Sequence, residues 1–144
     1  MGHCQQQLHI GRGFVTAAFP WAQMLAVSVG AAIGALLRWG ANMWLNALWS
    51  GFPLGTLLVN CVGGLLIGMA LVWFDRTPND LLRLLLVTGF LGGLTTFSAY
   101  SGESLSLMQR GEYAWAFAHT LAHVLGSLAC AGLGFRLGRA LLAS

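Results

Sequence analysis

The chain contains no lysine and few charges of either sign. Charged residues fill 8% of its 144 positions, against about 25% in an ordinary soluble domain. One domain's length of soluble fold cannot cover its surface with so few charges. With 57% hydrophobic residues and a mean hydropathy of +0.73, the composition is that of an integral membrane protein. The basic residues are seven scattered arginines, so a pI near 9.1 builds no nucleic-acid patch, and no nucleic-acid partner is expected. Cysteine is scarce too. Cys4, Cys61 and Cys130 form no CxxC pair, and two of them fall in apolar segments; they read as reduced packing residues, not a disulfide or zinc framework. Catalytic constellations are missing as well. No Ser-His-Asp or paired-carboxylate pattern is present, and the glycine-rich GFLGGLTT (89–96) lacks the lysine of a phosphate-binding loop. No enzymatic activity is expected.

Four apolar segments reach the roughly 20 residues that a membrane helix needs. They run from about Trp21 to Trp44, Phe52 to Phe74, Leu81 to Met108 and Tyr113 to Phe135. The connections LNALWSG, DRTPND and QRGE are short. Trp44, Trp49, Trp73, Tyr113 and Trp115 stand at the proposed ends, where interfacial aromatics collect. Arg12, Arg76, Arg83, Arg136 and Arg139 fall on one side, Arg38 and Arg110 on the other, an imbalance that leans towards cytoplasmic termini. Residues 1–20 lack the ordered parts of a signal peptide and read as a loose leader, with Met24 an alternative start; residues 21–144 form the domain.

Glycines recur four apart as Gly30/Gly34, Gly51/Gly55, Gly64/Gly68, Gly89/Gly93 and Gly134/Gly138. Small residues at that spacing let helix backbones approach closely in lipid. Polar groups at depth are costly and each needs a reason. Arg38 either snorkels to the headgroups or gives a vestibule positive potential. Asn60 either ties helices together or donates to something passing through. His119 and His123 have the i, i+4 spacing of metal ligands, but the sequence places no carboxylate or thiolate beside them. Thr120, His123 and Ser127 share a helical face. Glu103 follows on the third span and is expected at an aqueous end.

The third span breaks its own pattern at Gly89–Tyr100, GFLGGLTTFSAY. Non-helical backbone at membrane depth survives only when buried in protein or lining a wet cavity. A break at Gly92 to Thr96 is either a packing kink or a functional feature. It frees carbonyl oxygens that suit a hard cation, and it starts a half-helix whose amides attract anions. Phe97 and Tyr100 then share a face, with ring edges able to meet an anion.

These stretches resemble the Fluc/CrcB fluoride channel family. GFLGGLTTFSAY is similar to its GGxTTFS signature, GTLLVNCVGGLLIG to its second-helix motif, and GAAIGALLRW to its first-helix motif; together they cover about Ala22 to Leu142. The resemblance implies an all-α membrane fold of four spanning helices, the third broken at mid-membrane, paired as an antiparallel dual-topology homodimer. It implies a structural Na⁺ on the dimer axis, held by the backbone carbonyls of Gly92 and Thr95. Asn60, Phe97, Ser98, Tyr100, His123 and Ser127 match the fluoride pore, with Arg38 at the vestibule. Tyr100 departs from the family's usual phenylalanine, and His123 from a serine. The implied activity is passive export of F⁻ across the cell (inner or plasma) membrane, lowering cytoplasmic fluoride. The alternative is a small four-helix proton-coupled multidrug or metabolite antiporter. That reading needs a mid-membrane carboxylate, which the first two spans lack.

Overall fold

The computed structural model describes residues 20–47 and 53–142, and within them the chain is helical almost throughout. Four helices are long and apolar enough to cross a membrane. Helix α1 is Trp21–Leu45 and α2 is Leu54–Arg76. The third span, Asp80–Gln109, is composite: α3 (Asp80–Arg83), a π-helical stretch Leu84–Leu91, the short α4 (Gly92–Leu94), and α5 (Phe97–Gln109) beyond a two-residue gap. The last span, α6, is Tyr113–Leu142, seven residues longer than the apolar pattern predicts because Arg136 and Arg139 stay helical. The leader up to residue 19 lies outside the described residues, as do Trp49 and Gly51.

Local chemistry sets the ends. Pro20 and Pro53 stand just before α1 and α2, where a missing amide costs no helical bond. Asn79 caps α3 by accepting from the Leu82 N–H at 2.9 Å, with Asp80 in the first turn. Between α5 and α6 the chain reverses through Gly111, whose φ of 77° is the left-handed conformation that glycine adopts freely.

Packing pairs α1 with the first half of the third span, and α2 chiefly with α6; α5 lies on α6. The glycine pairs decide this. A Cβ on Gly30 would come 2.7 Å from the Phe90 nitrogen, and one on Gly89 would come 2.7 Å from the Val27 carbonyl. A Cβ on Gly34 would collide with the Phe90 carbonyl, one on Gly68 with that of Ala131, and one on Gly134 with that of Leu65. Backbone therefore meets backbone, the approach that small-xxx-small spacing permits in lipid.

Polarity is inverted relative to a soluble fold. Thr56, Asn60, Ser104, His119 and His123 are buried, whereas Leu25, Leu36, Leu125 and Leu128 are among many large apolar side chains facing outwards. Trp44, Trp73, Tyr113 and Trp115 are exposed near helix ends, as residues at a membrane interface are. This is a multi-pass membrane protein.

Candidate functional site

The third span loses its helix at Thr95 and Thr96, both of which adopt extended backbone. Two side chains take over the missing hydrogen bonds. The Thr96 N–H donates to Asn60 Oδ1 at 2.8 Å, and Asn60 Nδ2 donates to the Thr96 carbonyl at 3.0 Å. The Thr96 hydroxyl caps α5 by accepting from the Ala99 N–H at 3.2 Å. In an unbroken helix those two amides would have bonded the carbonyls of Gly92 and Thr95. The break releases both oxygens. Arg38 deals with a third: its Nε donates to the Gly93 carbonyl at 3.0 Å, a cation at the C-terminal end of a half-helix. The half-buried guanidinium is thus tied to the broken span, a contact that neither reading of Arg38 anticipated.

Beside the break runs an open groove of about 610 Å³. It gathers Asn60 from α2, Gly92, Thr95, Phe97 and Tyr100 from the third span, and His123 and Ser127 from α6. Two candidates stand elsewhere. Arg38 is on the Gly93 side, and Ser98 is exposed with its hydroxyl 3.2 Å from that of Thr96. Phe97 is 75% exposed, so its ring contributes little to the fold of a single chain. Its ring and that of Tyr100 meet in a T-shaped, edge-to-face arrangement at a centroid distance of 4.9 Å and 79°. Tyr100 in turn stacks on His123 at 4.9 Å and 14°.

Asn60 carries a third contact, from Nδ2 to His123 Nδ1 at 3.0 Å. Thr96 fixes the orientation of the amide, because a backbone N–H only donates and must face Oδ1. Both amide protons of Asn60 are therefore engaged with protein acceptors.

Behind the groove wall lies a buried polar chain. Thr56, one turn before Asn60 on α2, donates to Glu103 Oε1 at 2.7 Å. Glu103 Oε2 lies 3.3 Å from His119 Nε2, and His119 Nδ1 is 2.8 Å from the Ser104 hydroxyl. Three sequence expectations change here. Glu103 is turned inward between α2 and α6, where Thr56 and His119 hold it. The histidines do have a carboxylate beside them, supplied by another helix and so invisible to local spacing. Thr120 leaves the line it shares with His123 and Ser127, since its hydroxyl bonds Ser104 at 3.1 Å and the Ala116 carbonyl at 2.9 Å. Thr56 went unremarked in the sequence, although its i, i+4 relation to Asn60 was the signal available.

Residues 25–135 match the family model described as CrcB-like protein, Camphor Resistance (CrcB). The chain belongs to the CrcB-like family. Among curated CrcB-like relatives, one from Aromatoleum aromaticum is 51% identical over 113 residues, covering 77% of this chain and 86% of the relative. One from Cupriavidus pinatubonensis is 52% identical over 112 residues, 76% and 89% of the two chains. A third, from Pseudomonas aeruginosa, is 50% identical over 116 residues, 79% and 91%. Each of the three is named fluoride-specific ion channel FluC.

Proposed function

We propose that this chain is a fluoride-specific ion channel that lets F⁻ leave the cell passively across the inner or plasma membrane. The observation that carries it is the groove along a self-interrupted span, in a chain about half identical to channels of that name. The antiporter reading loses ground on the same comparison.

The groove has the chemistry that a small, strongly hydrated anion needs. The Ser127 hydroxyl, the edges of Phe97 and Tyr100, and the amide end of α5 offer positive potential without a fixed cation. Such groups replace hydration water without holding the ion too tightly. The membrane potential, negative inside, drives F⁻ outwards at about 2.3 kcal/mol per charge per 100 mV. In acid surroundings HF enters neutral and dissociates in the more alkaline cytoplasm, so an exit for F⁻ alone relieves the load.

The pore is a shared structure in this reading. One subunit leaves the groove open on the side where Phe97 is exposed, and a second, antiparallel copy closes it. The freed carbonyls of Gly92 and Thr95 suit a weakly charged, carbonyl-lined site, so the residues fit a structural Na⁺ better than a divalent ion. Gly92 is exposed and a Cβ there would touch nothing nearer than the Val87 carbonyl at 3.9 Å, which leaves room for an ion and a partner. Liposomes containing only this protein and loaded with fluoride should release it when a potential is applied, and chloride-loaded ones should not. Equal release of both ions overturns the selectivity; no release of either overturns the channel.

A further inference from the structure

We infer that Glu103, His119 and His123 form a binding site for a divalent late first-row transition-metal ion of the zinc class. One carboxylate oxygen and one ring nitrogen from each histidine all lie within 4.8 Å of one another. A tetrahedral ion with Zn–N and Zn–O bonds near 2.0–2.2 Å separates its ligand atoms by roughly 3.4 Å. Glu103 Oε2 and His119 Nε2, 3.3 Å apart, already have that bite. Bringing in His123 takes a movement on the order of 1 Å.

The surroundings are those of ligands held from behind. His119 Nδ1 rests on the Ser104 hydroxyl at 2.8 Å, and Glu103 Oε1 accepts from Thr56 at 2.7 Å. Such outer partners orient metal ligands. An independent observation points the same way. His123 is 2% exposed, its Nε2 is fully buried, and that nitrogen has no hydrogen-bond partner. Two imidazoles and one carboxylate favour zinc, cobalt, nickel or copper over calcium or magnesium. The side chain of Glu103, 25% exposed, marks the way in.

Occupancy has a consequence for the break. With Nδ1 of His123 accepting from Asn60, the ring proton sits on Nε2. A metal at Nε2 displaces it, and the neutral metal-bound ring carries its proton on Nδ1, where it can no longer accept from Asn60. Metal and Asn60 therefore compete for His123. Only this link to flux rests on the channel reading above; the metal site itself does not.

The test uses the full chain, freed of any affinity tag and titrated with Co²⁺. One ion per chain should bind with visible d–d bands, and Zn²⁺ should remove them. His119→Gln and Glu103→Gln should each weaken binding at least tenfold while helical circular dichroism is retained. X-ray absorption on the zinc-loaded wild type needs no variant, and should count imidazole nitrogens and no sulfur. Absence of bands at millimolar Co²⁺, sulfur in the shell, or unchanged affinity in both variants overturns the site. Reconstituted flux separates the two readings. Metal bound as described by a protein that passes no fluoride sinks the channel and leaves the site; fluoride flux with no metal uptake sinks the site alone.

Discussion

The side-chain amide of Asn60 lies against the peptide of Thr96 and exchanges two hydrogen bonds with it, at 2.8 and 3.0 Å. One residue of α2 thereby supplies, at membrane depth, what the third span no longer supplies to itself. Asn60→Leu should leave both backbone groups of Thr96 unpaired, at about 1–3 kcal/mol each. Unfolding of the variant in detergent should show a loss of about 2–6 kcal/mol, together with a fall in fluoride flux. Wild-type stability in Asn60→Leu would mean that another group satisfies the break.

Two glycines of α6, two residues apart, should respond oppositely to alanine. A Cβ on Gly134 would run into the Leu65 backbone, whereas one on Gly132 meets nothing within 4 Å. Gly134→Ala should cost about 1–3 kcal/mol through forced separation of α2 and α6. Gly132→Ala should be neutral or gain up to about 1 kcal/mol in helix propensity. Thermal unfolding of the pair in one detergent decides it; similar losses would contradict the packing described.

Phe97→Ile should slow fluoride efflux about fivefold to tenfold, the kinetic equivalent of one ring-edge contact worth about 1 kcal/mol. The fold should survive, because the ring is largely exposed within one chain. Tyr100→Phe keeps the ring that stacks on His123 and should change efflux by no more than about twofold. An unimpaired Phe97→Ile, measured with a fluoride electrode on matched liposomes, removes Phe97 from the path.

Gly92→Val separates effects inside a subunit from those between subunits. Within the chain the added side chain finds space, so helix content should hold apart from a small propensity term. Assembly should fail, since the proposed partner and Na⁺ share that space. Cross-linking in lipid should then trap dimers of the wild type and only monomers of the variant. Dimers in both place the interface elsewhere.

The four spans were legible in the sequence because lipid demands long apolar runs, and both ends of α1 agree with the pattern to within a residue. The break was legible for a chemical reason: Gly92, Gly93, Thr95 and Thr96 are poor helix formers in an otherwise helical run. What replaces the lost bonds was not. Asn60 and Thr96 are 36 residues apart, Arg38 and Gly93 are 55 apart, and Thr56 and Glu103 are 47 apart. Periodicity reports which face of a helix a residue occupies; it carries no information on which distant helix meets that face. Glu103 shows the cost of that limit. Its place on the third span reads as the approach to water, and only the docking of α5 on α6 turns it towards His119.

The pairing of α2 with α6 also has a consequence for how the chain is made. Roughly 66 residues separate their C-terminal ends, or about 3–13 s of synthesis at about 5–20 residues per second. Through that interval the Gly64 and Gly68 face of the second span lacks the helix it packs against. Docking of α2 therefore waits until α6 has been made, and a chain truncated before α6 should leave α2 without its main packing partner.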